Sequence, residues 1–359
     1  MSLKNNIDVA ICTFMQTANN QGQVLQAYAL QKFIKNNYPY LIVKNFNQND
    51  FNWHFYQKKY IDKKYDKLSQ KGKIQADKFN EFKQKYLTFE KENFIAKAYI
   101  CGSDQIWNNY ERSLDDARLD LNYFTLEFAK KLNPEARTFS YAPSFGRVEF
   151  GPEFIEFFKE NLSKLDDISV REKANLDNLE EWGLKGQVVC DPTLLLSANE
   201  WNEIAENFNS KDKIFFYSMR PDTYIKIQDI YNEFGKNNAI FTFANQGASD
   251  TDYTSYPSPQ EFLGGIRDAK CVITNSFHCT CFCVIFHTPF FMLASTDEAQ
   301  NERQKTLLSF TGLDDFIIRD KKEIDFEKFK NIDWENVDIK LQEFRKRGVE
   351  FLKNNLKDL

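Results

Sequence analysis

The sequence predicts an α/β chain made of two doubly wound, Rossmann-like domains that face each other across a cleft. Three observations carry this. Short β-branched or aromatic runs alternate with helical periodicities in two successive sets. Polar turns containing Gly, Asn, Asp or Ser follow those runs at their carboxyl ends. At 359 residues the chain is also too long for one ordinary core. The division is expected near Ser197, giving domains over 1–196 and 197–359.

Composition narrows the function classes. A net charge of −5 gives no reason to expect nucleic acid as a partner. No apolar run reaches the length of a membrane span, and the first residues lack a signal-peptide pattern. Seven cysteines, an odd number scattered in apolar contexts, fit a reducing cytoplasm better than a disulfide framework.

The first strand is expected over Ile7–Thr13, followed by the polar loop Asn19-Asn20-Gln21-Gly22-Gln23 and a helix over Val24–Ile34. Apolar residues at 24, 27, 30 and 34 recur there with helical period. A strand, a Gly-containing turn and a helix open a Rossmann-like unit, though the full phosphate-binding glycine fingerprint is missing. Leu41–Phe46 is the second strand. From about residue 50 to 92 lysines crowd with aromatics, as in Lys58-Lys59-Tyr60 and Lys63-Lys64-Tyr65. Such a stretch suits a solvated helical insertion first, and an anionic acceptor or a peripheral membrane contact second.

Ala98–Cys101 is the next strand and ends in Gly102-Ser103-Asp104-Gln105-Ile106-Trp107. Asp104 at that edge can bind a sugar hydroxyl, act as a base or cap a helix. Arg137–Ala142 and Asp167–Glu172 are strands flanking an amphipathic helix from Pro152 to Leu165. Arg171 at a strand end can meet a phosphate or carboxylate with a fork of donors, or form an ion pair with Glu172 or a neighbour. Val188–Cys190 then runs into Asp191-Pro192-Thr193.

In the second set, a helix starts at Ser197 and Ile214–Ser218 is a strand with Arg220 at its end. Asp222–Phe234 is expected to be helical, and Ala239–Phe243 to be a strand. Ser258-Pro259-Gln260-Glu261 has the spacing of a capping box, which explains Glu261 without a ligand. Cys271–Thr274 is a buried strand, and Asn275 and Ser276 suit the turn into a helix. His278 then falls in the first helical turn at the carboxyl edge of a sheet. Free N–H groups favour an anion there, and an imidazole can move a proton near neutral pH. Cys279, Cys281 and Cys283 beside His278 and His287 invite a zinc reading. On a helix only Cys279 and Cys283 share a face, so four convergent ligands are not expected and no metal is assigned. A helix over Glu302–Thr311 and a last one over Trp334–Leu356 complete the chain, the latter packing back on the body.

Six stretches together resemble the polysaccharide pyruvyl transferase family. They are Asn19–Leu30, Gly102–Trp107, Ser140–Gly146, Ser169–Glu172, Asp191–Leu195 and Val272–His278, in the family's order and over most of the chain. The resemblance implies a GT-B-like architecture and transfer of a pyruvyl group from phosphoenolpyruvate to a sugar hydroxyl, with no cofactor beyond that co-substrate. His278 matches the family's catalytic Ser-Phe-His turn. Cys279 stands where the family commonly has glycine, and the Arg of its Arg-Leu-His form is absent. Carried over, the resemblance makes His278 the general acid, with Arg171, Asn275 and Ser276 beside the donor; Arg220 joins them by position. Asn19, Asn20, Gly22, Ser103 and Asp104 face the acceptor. The partners implied are phosphoenolpyruvate and a sugar or lipid-linked oligosaccharide, met in the cytoplasm at the inner face of the membrane. A nucleotide-sugar glycosyltransferase and a non-catalytic carbohydrate-binding protein are the rival readings.

Overall fold

The computed structural model describes residues 7–15, 20–56, 69–147, 149–219, 221–235, 239–243 and 254–359. Its first sheet holds β1 (Ile7–Cys12), β2 (Val43–Phe46), β3 (Phe89–Glu90), β4 (Ala96–Cys101) and β5 (Arg137–Ser140). All pair in parallel, in the order β3-β2-β1-β4-β5. Around it lie α1 (Gln21–Asn37), α2 (Gln48–Tyr56), α3 (Gln70–Tyr86), α4 (Leu114–Phe124) and α5 (Ala129–Leu132). α6 (Pro152–Leu162), β6 (Ser169–Val170), α7 (Lys173–Glu181) and β7 (Gln187–Val188) continue this layer. The pair β6-β7 is parallel, and Ser140 N donates to Asp167 O to join it to β5.

The second sheet holds β8 (Ile214–Ser218), β9 (Ala239–Phe243), β10 (Thr254–Ser255), β11 (Cys271–Thr274), β12 (Phe290–Leu293) and β13 (Ile317–Ile318). Its order is β10-β9-β8-β11-β12-β13, again parallel. Helices α8 (Ala198–Asn202), α9 (Ile227–Ile230), α10 (Pro259–Arg267), α11 (Phe277–Phe286), α12 (Glu298–Thr311) and α13 (Trp334–Leu356) accompany it. Both orders run outward, return to the first strand and reverse, which is the doubly wound pattern. In each sheet a crevice opens where the direction of winding changes, between β1 and β4 and between β8 and β11. The two domains are Rossmann-like and face each other, a GT-B-like arrangement.

Local chemistry explains the element starts. Asn20 caps α1 by accepting from Gln23 N, and Ser276 caps α11 by accepting from Cys279 N. Capping boxes open α8 at Ser197 and Glu200 and α10 at Ser258 and Glu261. The helix expected over Asp222–Phe234 begins only at Ile227. Upstream, Asp222 O accepts from Ser295 Oγ and Thr296 N, while Tyr224 N donates to Ala294 O. These long-range bonds hold the strap extended against the end of β12.

Within the 50–92 stretch, α2 and α3 are helical and residues 57–68 lie outside the described residues. α3 buries Phe79 and Phe82, with Phe82 against Tyr28 of α1. It also reaches the second domain: Gln75 Nε2 and Gln21 Nε2 each donate to Pro257 O at 3.0 Å. Lys78 pairs with Glu261 at 2.6 Å. α13 returns to the first domain, where Phe351 packs on Phe139 and Tyr141. Arg345 there donates to the carbonyls of Leu194 and Leu196.

Candidate active site

The carboxyl ends of the strands meet in the cleft. From the first domain come Gly22 after β1, Ser103 and Asp104 after β4, and Ser144–Gly146 after β5. Arg171 and Glu172 follow β6, and Asp191 follows β7. From the second come Phe277 and His278 at the start of α11, with Gln300 and Arg303 on α12. His278 is 9% exposed and crosses the gap. A Cβ built on Gly22 would stand 2.0 Å from its Nδ1, so the first turn of α1 lies flush against the ring. On the other side Nε2 is 3.6 Å from Asp191 Oδ2, within ionic reach but longer than a hydrogen bond. Two helix N-termini, one from each domain, therefore flank one imidazole.

Asp191 is the hub of the first domain's contribution. Its Oδ2 accepts from Ser103 Oγ at 2.9 Å and from Arg171 Nη1 at 2.8 Å. Its Oδ1 accepts from Thr193 N and Thr193 Oγ1. Burial acts to raise this carboxyl, but its interactions with His278 and the Arg171 guanidinium outweigh it and hold Asp191 well below the ordinary carboxylate range. Arg171 is 2% exposed. Its Nε bonds Glu172 Oε1 at 3.2 Å, and its Cζ stacks 4.5 Å from the Phe277 ring centre. Its Nη2 makes no hydrogen bond and is closed off from solvent. Glu172 is pushed above its usual value by burial, against the pull of Arg171 and Arg303.

The polysaccharide pyruvyl transferase family model matches residues 20–297. The chain belongs to that family. It is accordingly a transferase of polysaccharide biosynthesis. No match was found among curated proteins. Among solved structures, S. aureus MnaA with UDP is 11% identical, covering 98% of both chains at a TM-score of 0.49. UDP-GlcNAc 2-epimerase from Neisseria meningitidis bound to UDP-GlcNAc is also 11% identical, covering 98% of this chain and 100% of its own at 0.47. The wall teichoic acid polymerase TagF, 11% identical, covers 98% and 89% at 0.47. These likenesses carry none of those proteins' chemistry to this chain.

Of the residues singled out in the sequence, the fold brings Gly22, Ser103, Asp104, Arg171, Ser276 and His278 to one cleft. Asn19 and Arg220 lie outside the described residues. Asn20 and Ser276 are committed as helix caps, and Asn275 Oδ1 accepts from Met219 N at 2.7 Å. Asp104 has φ 78, and its Oδ1 accepts from its neighbour Gln105 N. Arg171 forms the ion pair with Glu172 that the sequence left open as its alternative, plus a second with Asp191. Three cleft residues had no assigned role: Asp191, Gln300 and Arg303. Asp191-Pro192-Thr193 at a strand end was a usable signal. Arg303 falls in the helix expected over Glu302–Thr311 and Gln300 just before it, and neither carries a local signal of its own.

The close packing of Gly22 gives a direct prediction. Gly22→Ala puts a methyl group into the His278 ring, so the ring or the start of α1 must move. A displacement of about 1 Å at a reacting group can cost on the order of a hundredfold in rate. Turnover is expected to fall by that order, with far-UV circular dichroism unchanged. Wild-type turnover in this variant would show that the contact does not position the ring.

Proposed function

We propose that this enzyme moves the pyruvyl group of phosphoenolpyruvate onto a sugar, forming a pyruvate ketal, with His278 as the general acid. The observation that supports this most is the clasp on His278: an imidazole at a helix N-terminus, backed across the cleft by Asp191. His278 protonates the methylene carbon of the donor while one sugar hydroxyl attacks the neighbouring carbon, and that hydroxyl's proton returns to the ring, restoring its acid form. A second hydroxyl then displaces phosphate from the same carbon, and its proton leaves with the phosphate. Asp191 orients the ring and balances its charge, and the helix starts favour the donor's anionic groups. Arg171, whose Nε and Nη1 are spent on Glu172 and Asp191 inside the protein, organises Asp191 rather than gripping the donor. Because His278 is almost covered, substrates enter when the domains part, and closure then excludes water.

The scheme calls on no metal or other cofactor. The acceptor would be a sugar or a lipid-linked oligosaccharide, met at the cytoplasmic membrane face. Among the described residues no helix is long and apolar enough to cross a membrane.

The test pairs binding with turnover. Phosphoenolpyruvate should raise the melting temperature in a concentration-dependent way, since a ligand of the native state stabilises it by mass action. Phosphate release should then require a sugar acceptor. Protection by nucleotide sugars alone, without consumption of phosphoenolpyruvate on any of a broad acceptor set, would overturn the reading in favour of glycosyl transfer.

A further inference from the structure

An enolpyruvyl phosphate donor carries up to three negative charges next to the cleft acids Asp104, Glu172 and Asp191. Helix N-termini offer only about half a charge each. Arg171 cannot supply the rest, because Asp191, Glu172 and the Phe277 ring already enclose it. Among the described residues, no cation named above is matched to the ligand.

α12 provides one. Gln300, Arg303 and Thr306 follow one another at spacings of three, which places them on one side of the helix. Both outer members bind the first domain. Gln300 Nε2 donates to Gly146 O at 3.1 Å, and its Oε1 accepts from Gln105 Nε2 at 3.3 Å. Thr306 Oγ1 accepts from Lys173 N at the start of α7. Arg303, between them, must face the same loops. Its Nη2 bonds Gln300 Oε1 at 2.9 Å, and it lies near enough to Glu172 to draw on that carboxyl. The ionic contacts run in sequence from Glu172 through Arg171 and Asp191 to His278, with the Arg303 charge felt at the Glu172 end.

We propose that Arg303 is the cation that binds the anionic donor, its guanidinium held in place by Gln300 across the domain interface. The proposal rests on the donor being anionic, as the reading above requires, but not on which anion it is. Gln300 spans the cleft, so the fork is aligned only when α12 is seated on the Gly146 turn. Donor binding and domain closure are thereby coupled through one residue pair. A guanidinium can hold two oxygens of a phosphate or carboxylate at once, which an ammonium cannot.

The experiment is calorimetric titration of the full chain, wild type, Arg303→Gln and Arg303→Lys, with phosphoenolpyruvate, inorganic phosphate and CDP as separate probes. Melting temperatures and steady-state constants are measured alongside. Loss of charge-assisted bonds predicts phosphoenolpyruvate affinity weaker by about ten- to a hundredfold in Arg303→Gln. Arg303→Lys should recover only part of it, with the melting temperature nearly unchanged in both. The same pattern with CDP instead of phosphoenolpyruvate would sustain Arg303 as the donor's cation while removing the pyruvyl donor itself. Unchanged affinity in Arg303→Gln for whichever probe the wild type binds would overturn the proposal. So would a wild type that binds none of the three, or a lower melting temperature with the donor KM unaltered.

Discussion

Replacing His278 by Gln is expected to lower turnover by about a hundred- to ten-thousand-fold, the range a positioned general acid contributes. The change should fall on kcat, with donor affinity close to that of the wild type. A proton transferred only at the transition state stabilises that state and not the bound substrate. Folding should be nearly unaffected. The Gln amide is close to the imidazole in reach and can still donate toward Asp191, so the stability change is expected to be about 1 kcal/mol or less. Phosphate release, isothermal titration with phosphoenolpyruvate and a urea melt on the same preparation separate the three quantities. Near-normal turnover in His278→Gln would sink the assignment of the acid. Loss of donor affinity equal to the loss of rate would make His278 a binding residue instead.

That prediction rests on features of very different legibility. The His278 turn could be read because its signal is local: a buried β-branched run, two capping residues and a histidine one turn later. The capping box at Ser258 and the helix start at Ser197 were visible for the same reason, four residues being enough to state the box. What surrounds His278 was not local. Gly22 stands 256 positions away, and its contact is steric, a missing Cβ against a ring, so the sequence could place it in a polar loop facing the acceptor but not against His278. Asp191 and Arg171 are 20 positions apart, on successive strand ends, and their pairing depends on how β6 and β7 lie side by side. The Asp222–Ile225 strap misled the helical reading because its competing partners, Ala294 to Thr296, lie about seventy residues on. Alternation and caps thus disclose the frame and one turn of the candidate site. The charges that cross the cleft become visible only when the strand ends are brought together.

The largest stability effect is expected at the buried ion pair beside that turn. Arg171→Leu leaves Asp191 inside the protein without its guanidinium, and Asp191→Asn leaves Arg171 with only Glu172. Removing one member of a buried pair typically costs about 3–5 kcal/mol, because the other charge stays desolvated. The double variant Arg171→Leu with Asp191→Leu should recover part of this, since neither charge then remains. The pH dependence separates the two carboxyls. Asp191 is depressed, so its contribution is fully present above the unfolded value of about 3.9 and is lost as pH falls below that toward the folded value. Glu172 is raised, so the folded chain keeps a proton that the unfolded chain has released; its contribution is greatest below about 4.3 and is lost as pH rises through the folded value. Urea melts across pH 3 to 8 should therefore show the Asp191→Asn penalty shrinking as pH falls below about 3.9, by about 1 kcal/mol at pH 3, because the folded value lies lower still. Glu172→Gln should gain on the wild type as pH rises above about 4.3. A penalty for Asp191→Asn that stays constant down to the lowest pH would mean that the carboxylate's charge is not what binds Arg171 and His278 together.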